Sequence, residues 1–190
     1  MNISEVDIIN LGLGMVGAAD IGALTDRSTE AAAARKYWPV VREAVFAASP
    51  WHCLEKRVTL STTTTEPAWG YAYAYPLPDD FVRIIRLELG GAEYEVVNQR
   101  VLQTDLSADV EIAYVSRETD TTRYSGALIR CLYLNLAYEF AHAVVRNRDT
   151  AAMILDHLQK FFRPVCLMAD AAGSGHQTLA AEDLVDRFDY

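Results

Sequence analysis

Glu139 and His142 stand three residues apart, the spacing by which one helix turns a carboxylate and an imidazole toward a shared metal. Di-iron centres use this pair twice and add a carboxylate from each of two further helices. No second E-x-x-H occurs in the chain, so the pair reads as helix-surface polarity. Gly12-Leu13-Gly14-Met15-Val16-Gly17 satisfies G-x-G-x-x-G, which in a dinucleotide site follows a strand and opens a helix. Here Asp20 and Gly22 interrupt any following helix, and Ser28 to Tyr37, where a second strand should end, has helical periodicity. His52, His157 and His176 lack metal-ligand spacing, and Cys53, Cys131 and Cys166 show no C-x-x-C. Neither a G-x-S-x-G elbow nor a phosphate-binding loop is present. The adjacent acids Asp79-Asp80 and Glu182-Asp183 could serve a glycosidase, but neighbouring acids in a turn or tail are usually solvated. The expectation is no catalytic residue, no cofactor and no metal.

The elements that would position such groups follow from periodicity. Ser4 with Asp7 forms a capping box for a short first helix whose apolar side is Ile3, Val6, Ile9, Leu11 and Leu13. A long helix begins at Asp26 or Ser28 and carries the stripe Ala34, Tyr37, Trp38, Val41, Ala44, Val45 and Ala48. Pro39 predicts a kink or break within it, and Pro50 ends it. The period then changes to two. Strands are expected at 57–61, 69–75, 81–89, 94–97 and 110–115, with a bulge at Ile84-Ile85 and a hairpin at Gly90-Gly91. Trp69, Tyr71, Tyr73 and Tyr75 alternate with small residues, which predicts four aromatics on one strand face, a candidate contact face. Helical spacing returns from Ser125, with Leu128, Leu132, Leu136, Phe140 and Val144 four apart. Asn147 or Asp149 caps a last helix with Leu155, Leu158, Phe162 and Val165 inward. After Gly173-Ser174-Gly175, the apolar residues Leu179, Leu184, Val185, Phe188 and Tyr190 are too few for a core and read as a partner-docking arm.

Composition limits the possible partners. The chain has 190 residues, 51% hydrophobic and 23% charged, enough for one domain with a sub-domain. No apolar run approaches the roughly 20 residues that span a bilayer, and no basic segment precedes Ser4 as a secretory leader would require. The net charge of -9 opposes a grip on nucleic-acid phosphates. It suits a surface that DNA slides past.

Several runs resemble a known family in content and order. They are Ala33-Ala34, Tyr37-Trp38-Pro39-Val40-Val41-Arg42-Glu43-Ala44-Val45, Pro50-Trp51 and Lys56-Arg57-Val58. Trp69-Gly70-Tyr71-Ala72-Tyr73, Tyr75-Pro76-Leu77-Pro78-Asp79-Asp80, the segment from Ile112 to Thr119 and the helix from Leu128 to Ala143 continue them. Over most of residues 3 to 172 this is similar to tail tubular protein A, the head-to-tail adaptor of short-tailed bacteriophages. The glycine-rich end of the first helix, Arg35-Lys36 and the segment after Gly173 depart from that pattern.

The resemblance implies a structural virion protein made in the bacterial host cytoplasm. It would form a ring of about twelve copies between the portal protein and a tail nozzle or tube protein, with DNA passing through unbound and no membrane involved. Two rivals stand beside it: a connector or tail-completion protein of a long-tailed phage, and a tail-associated cell-wall hydrolase. The expected fold class is α+β: an antiparallel bundle of about four helices with a small antiparallel β-sheet or barrel insert and an extended C-terminal arm. The expected domains are a helical bundle from residues 1–54 and 117–172, a β-rich insert at 55–116 and the arm at 173–190.

Overall fold

The computed structural model describes residues 3–63, 67, 69–89, 91–162 and 164. Helix α1, Glu5–Met15, starts on the expected capping box: the Ser4 hydroxyl accepts from the Asp7 N–H, and the Asp7 carboxylate accepts from the Ser4 N–H at 2.8 Å. It stops where Gly17 takes φ +71°, letting the Ala18 N–H reach the Leu13 carbonyl. A left-handed glycine of this kind closes a helix at little steric cost. The G-x-G-x-x-G run is therefore half helix and half helix cap. Helix α2, Thr29–Ala48, is capped by Ser28 and runs on through Pro39 as one element. Helix α3, Gly126–Phe140, is capped by Ser125 and passes into a π-turn at Ala141–Val145, which ends with Arg146 left-handed at φ 55°. Helix α4, Arg148–His157, takes Asn147 as its cap and runs into a second π-turn, Leu158–Phe162.

Between α2 and α3 the chain makes six strands. They are β1 (Glu55–Leu60), β2 (Tyr73–Pro76), β3 (Phe81–Glu88), β4 (Tyr94–Val97), β5 (Val101–Thr104) and β6 (Val110–Ser116). They form two antiparallel sheets, ordered β1-β6-β3 and β2-β5-β4. The register of β3 on β6 slips between Ile84 and Arg86, where a bulge is expected, and again between Phe81 and Arg83. Gly91, at φ +94°, does not turn a hairpin: β3 pairs with β6 and β4 with β5, so the link carries the chain from one sheet to the other. The hairpin lies instead at Asn98-Gln99, both left-handed, as tight two-residue β-turns require. A main-chain bond from the Thr63 N–H to the Ala74 carbonyl bridges the sheets beyond the end of β1.

Two cores result. Ile8, Leu13, Ala34, Trp38, Val45, Phe46, Leu128, Leu132, Leu136 and Phe140 belong to the first, joined by Val82 and Val115 from one face of the β1-β6-β3 sheet. The other face of that sheet contributes Leu60, Phe81, Ile112 and Tyr114 to the second core, against Tyr75 and Leu102 of the other sheet. Helices, first sheet and second sheet thus stack as three layers.

The expected α+β fold, an antiparallel bundle of about four helices with one sheet or barrel inserted, is overturned. The fold is mixed α/β: among the described residues, four α-helices and two three-stranded antiparallel sheets. The helices fail to make a bundle because α3 serves as a hub. Helices α1, α2 and α4 each pack on α3, and α1 and α2 scarcely meet. A sheet face fills the place a bundle would give to another helix. The arm expected at 173–190, with Leu179, Leu184, Val185, Phe188 and Tyr190, lies outside the described residues, as does Val165.

Gly12 is where α1 comes closest to the hub. A Cβ there would lie 3.1 Å from both the Leu136 Cβ and the Tyr133 carbonyl oxygen, and neither can retreat without shifting α3. Gly12→Val is expected to destabilise the protein by about 1–3 kcal/mol through overpacking. The measurement is the urea midpoint at unchanged slope.

Candidate functional site

Several of the runs that carry the family resemblance lie around the first sheet and its junction with the helices, whereas Trp69 to Tyr73 belongs to the second, outer sheet. Trp51 sits fully buried at that junction, and its indole N–H donates to the Val45 carbonyl at 2.7 Å across the turn that follows α2. The Ser116 hydroxyl donates to the Leu54 carbonyl at 2.9 Å, tying the end of β6 to the start of β1. Arg117 clamps α2: its Nε donates to Glu43 Oε2 at 2.8 Å and its Nη2 to Oε1 at 2.5 Å, a bidentate pair. Its Nη1 also reaches the Asp79 carbonyl at 3.1 Å. Arg83 adds a bond to the Ala47 carbonyl at 3.0 Å.

Asp80, next to this junction, ties together strands of the first sheet. Its carboxylate accepts from Lys56 Nζ at 2.7 Å and from the Tyr114 hydroxyl at 2.9 Å, while its carbonyl accepts from the Arg117 N–H. Burial works against the charge on Asp80, but the bonds from Lys56 and Tyr114 outweigh it and hold the carboxyl below its ordinary range. Burial, reinforced by that carboxylate, pushes the Tyr114 phenol up to about 12. The hydrogen bond from Arg117 likewise holds Glu43 low.

These shifts fix the direction of the pH dependence. A carboxylate depressed in the folded state adds stability above its unfolded pKa and loses it as pH falls through the folded one. A raised phenol adds stability below its unfolded pKa and loses it as pH rises toward the folded one. Stability is therefore expected to fall below about pH 4, where unfolded carboxyls take up protons, and above about pH 10, where an unfolded tyrosine ionises. Tyr114→Phe should flatten the alkaline limb and, because Asp80 loses one of its two side-chain donors, make the acid limb shallower as well, as read from thermal midpoints across pH.

The four aromatics expected on one strand face are divided. Strand β2 begins only at Tyr73, because Trp69 and Gly70 form a bend in which Gly70 takes φ +92°. Tyr75 is fully buried between the sheets, its hydroxyl 2.5 Å from the Leu106 carbonyl and 2.8 Å from that of Ala108. Tyr73 shares its side of the strand but is more than a third exposed, and Tyr71 is half-buried ahead of the strand. Trp69 stands 85% exposed beside Glu95, Val97 and Gln103 on the outer side of the β2-β5-β4 sheet.

Three further open concavities lie on the described surface. One, on α2, has Pro39, Val40, Ala44 and Ala47 along it and Arg42, Glu43 and Arg117 at its margin. Another lies along α1 at Leu11, Gly14 and Met15, rimmed by Asp7 and Asp20. The third crosses the exposed end of the β1-β6-β3 sheet, where Arg57 and Arg86 flank Ala113 and Glu88 faces Glu111.

Metal-type groupings are sparse. Glu139 ends α3 while His142 lies in the π-turn, its ring edge-on to Tyr138 at 5.0 Å. His52 meets Glu55 at 2.9 Å, and Arg57 donates to the other oxygen of that carboxylate. No three His, Cys, Asp or Glu side chains among the described residues could hold an ion together. His176 and Cys166 lie outside those residues, as does the pair Glu182-Asp183. Among the described residues no helix is long and apolar enough to cross a membrane. No protein-family model matches the chain, and no curated protein matches its sequence.

Sequence reasoning missed two functional features. Strand β5, the middle strand of the outer sheet, is too short at Val101–Thr104 for its alternation to stand out. The Glu43–Arg117 clamp joins residues 74 apart, and no local pattern announces it.

Proposed function

We propose that this protein is a structural virion component, a head-to-tail connector adaptor that self-associates into a ring between a portal and a tail. The observation that carries the reading is that several of the family-like runs are tied together around the first sheet. Trp51 and Arg117 bind its helix-side end to α2, while Asp80 links Lys56 of β1 to Tyr114 of β6 on the face toward the second sheet. Such a joint lets the helical layer and the sheets present different surfaces to different partners. The outer strands β3 and β4 each pair on one side only, which suits a subunit that completes its contacts with neighbours. An acidic balance of -9 suits a passage that does not hold DNA.

The test is native mass by light scattering, for the protein alone and mixed with the cognate portal. A stoichiometric ring, formed alone or on the portal, is the expected result. A monomer that never binds the portal overturns the reading. A zymogram on peptidoglycan run beside it should show no clearing.

A further inference from the structure

We propose that the ring contact, if the adaptor reading holds, is made by Trp69 of one copy seated in the α2 concavity of the next. An indole left 85% exposed keeps a large apolar surface in water, and tryptophan is among the side chains enriched where interfaces are anchored. The chain's other two tryptophans are spent in the core, Trp38 at 3% and Trp51 at 1% exposure. Trp69 is thus the one placed to reach outward.

Charge selects the receptor among the three concavities. Trp69 projects next to Glu95, so its acceptor must tolerate a carboxylate at the rim. The α1 concavity has an apolar floor but carries Asp7 and Asp20, and like charges would face each other. The concavity on the first sheet sets Glu88 and Glu111 against Arg57 and Arg86, which leaves it neutral and largely polar. The α2 concavity is shallow with an apolar floor, Val40 being 66% exposed, and with Arg117 paired to Glu43 it leaves the positive charge of Arg42 at its margin. Its volume is about 660 Å³, ample for an indole. Arg42 already lies over the Trp38 ring, 5.7 Å from its centroid, and a second indole on the helix surface would add a face for the same guanidinium.

The two halves of this contact are different surfaces of the same chain. In a ring each copy gives Trp69 to one neighbour and α2 to the other, a heterologous contact; a reciprocal pairing of the same two surfaces would stop at a dimer.

The experiment uses full-length variants, Trp69→Ala and Ala44→Glu. Both positions are exposed, and Ala44→Glu keeps a good helix former on α2. Circular dichroism and thermal midpoints matching wild type would establish that both fold. Each variant alone should lose assembly at least tenfold in midpoint concentration, under whichever condition, free or with portal, the wild type assembles. Where the wild type assembles without portal, the two variants mixed in equal amounts should give a species of two subunits and no larger, because one intact contact remains. A ring formed normally by Trp69→Ala overturns this contact and leaves the adaptor reading standing. A wild type that stays monomeric with and without portal overturns both.

Discussion

Trp51→Ala is expected to destabilise the protein by about 3–5 kcal/mol, the range for removing a fully buried large aromatic. The size follows from two losses that fall together. The indole leaves a cavity in the helical core, and the Val45 carbonyl loses the N–H that bonds it at 2.7 Å. Trp51 lies in the turn between α2 and β1, so the damage should concentrate at the junction. Hydrogen exchange should quicken first at the end of α2 and along β1, before the outer sheet responds. Trp51→Phe should recover most of the packing but not the bond, and so fall between the two. A midpoint for Trp51→Ala within about 1 kcal/mol of wild type would mean that the indole does not hold this junction.

Phe140→Ala should match it in size, again about 3–5 kcal/mol, for a different reason. Phe140 is fully buried at the last turn of α3, and its ring edge would stand 3.4 Å from a Cβ built on Gly12. It fills the gap left by the glycine where α1 crosses the hub. Deleting the ring leaves α1 resting on a void that its neighbours cannot fill without abandoning the close approach at Gly12. The expected sign is early exchange of α1 amides and a lower urea midpoint. If α1 exchanges no faster than α3 in the variant, Phe140 is not what holds it.

Local signals in the sequence were legible because local physics produces them. Ser4 with Asp7, Ser28, Ser125 and Asn147 cap helices as their side chains dictate, and the four-residue spacing from Leu128 to Phe140 marks the buried side of α3. The illegible parts are those decided at a distance. Alternation at Trp69 to Tyr75 extended the strand too far, since a left-handed Gly70 turns the chain before Tyr73. The stripes of α1 and α2 said that each buries a face but not against what, and a common partner in α3 replaced the bundle. Leu155, expected inward on α4, is exposed, while Ala151 and Ile154 are buried together with Leu158, likewise expected inward. The candidate site followed the same division. Trp69 could be singled out by type, but its exposure depends on a bend and on a strand, β5, that the sequence did not reveal.

The pairing of Glu55 with Val115 places the entrance and exit of the whole β unit side by side. Tension applied along the helical layer therefore has a route that bypasses the second sheet: it passes from β1 to β6 at their first rung. If that rung were to give way, the strands would peel apart one pair at a time, the geometry in which hydrogen bonds resist force least. The Ser116–Leu54 bond and the Glu43–Arg117 clamp sit at the mouth of that peel. They act as its rivets, so the protein's mechanical strength rests on a few side chains at the joint rather than on the size of either layer.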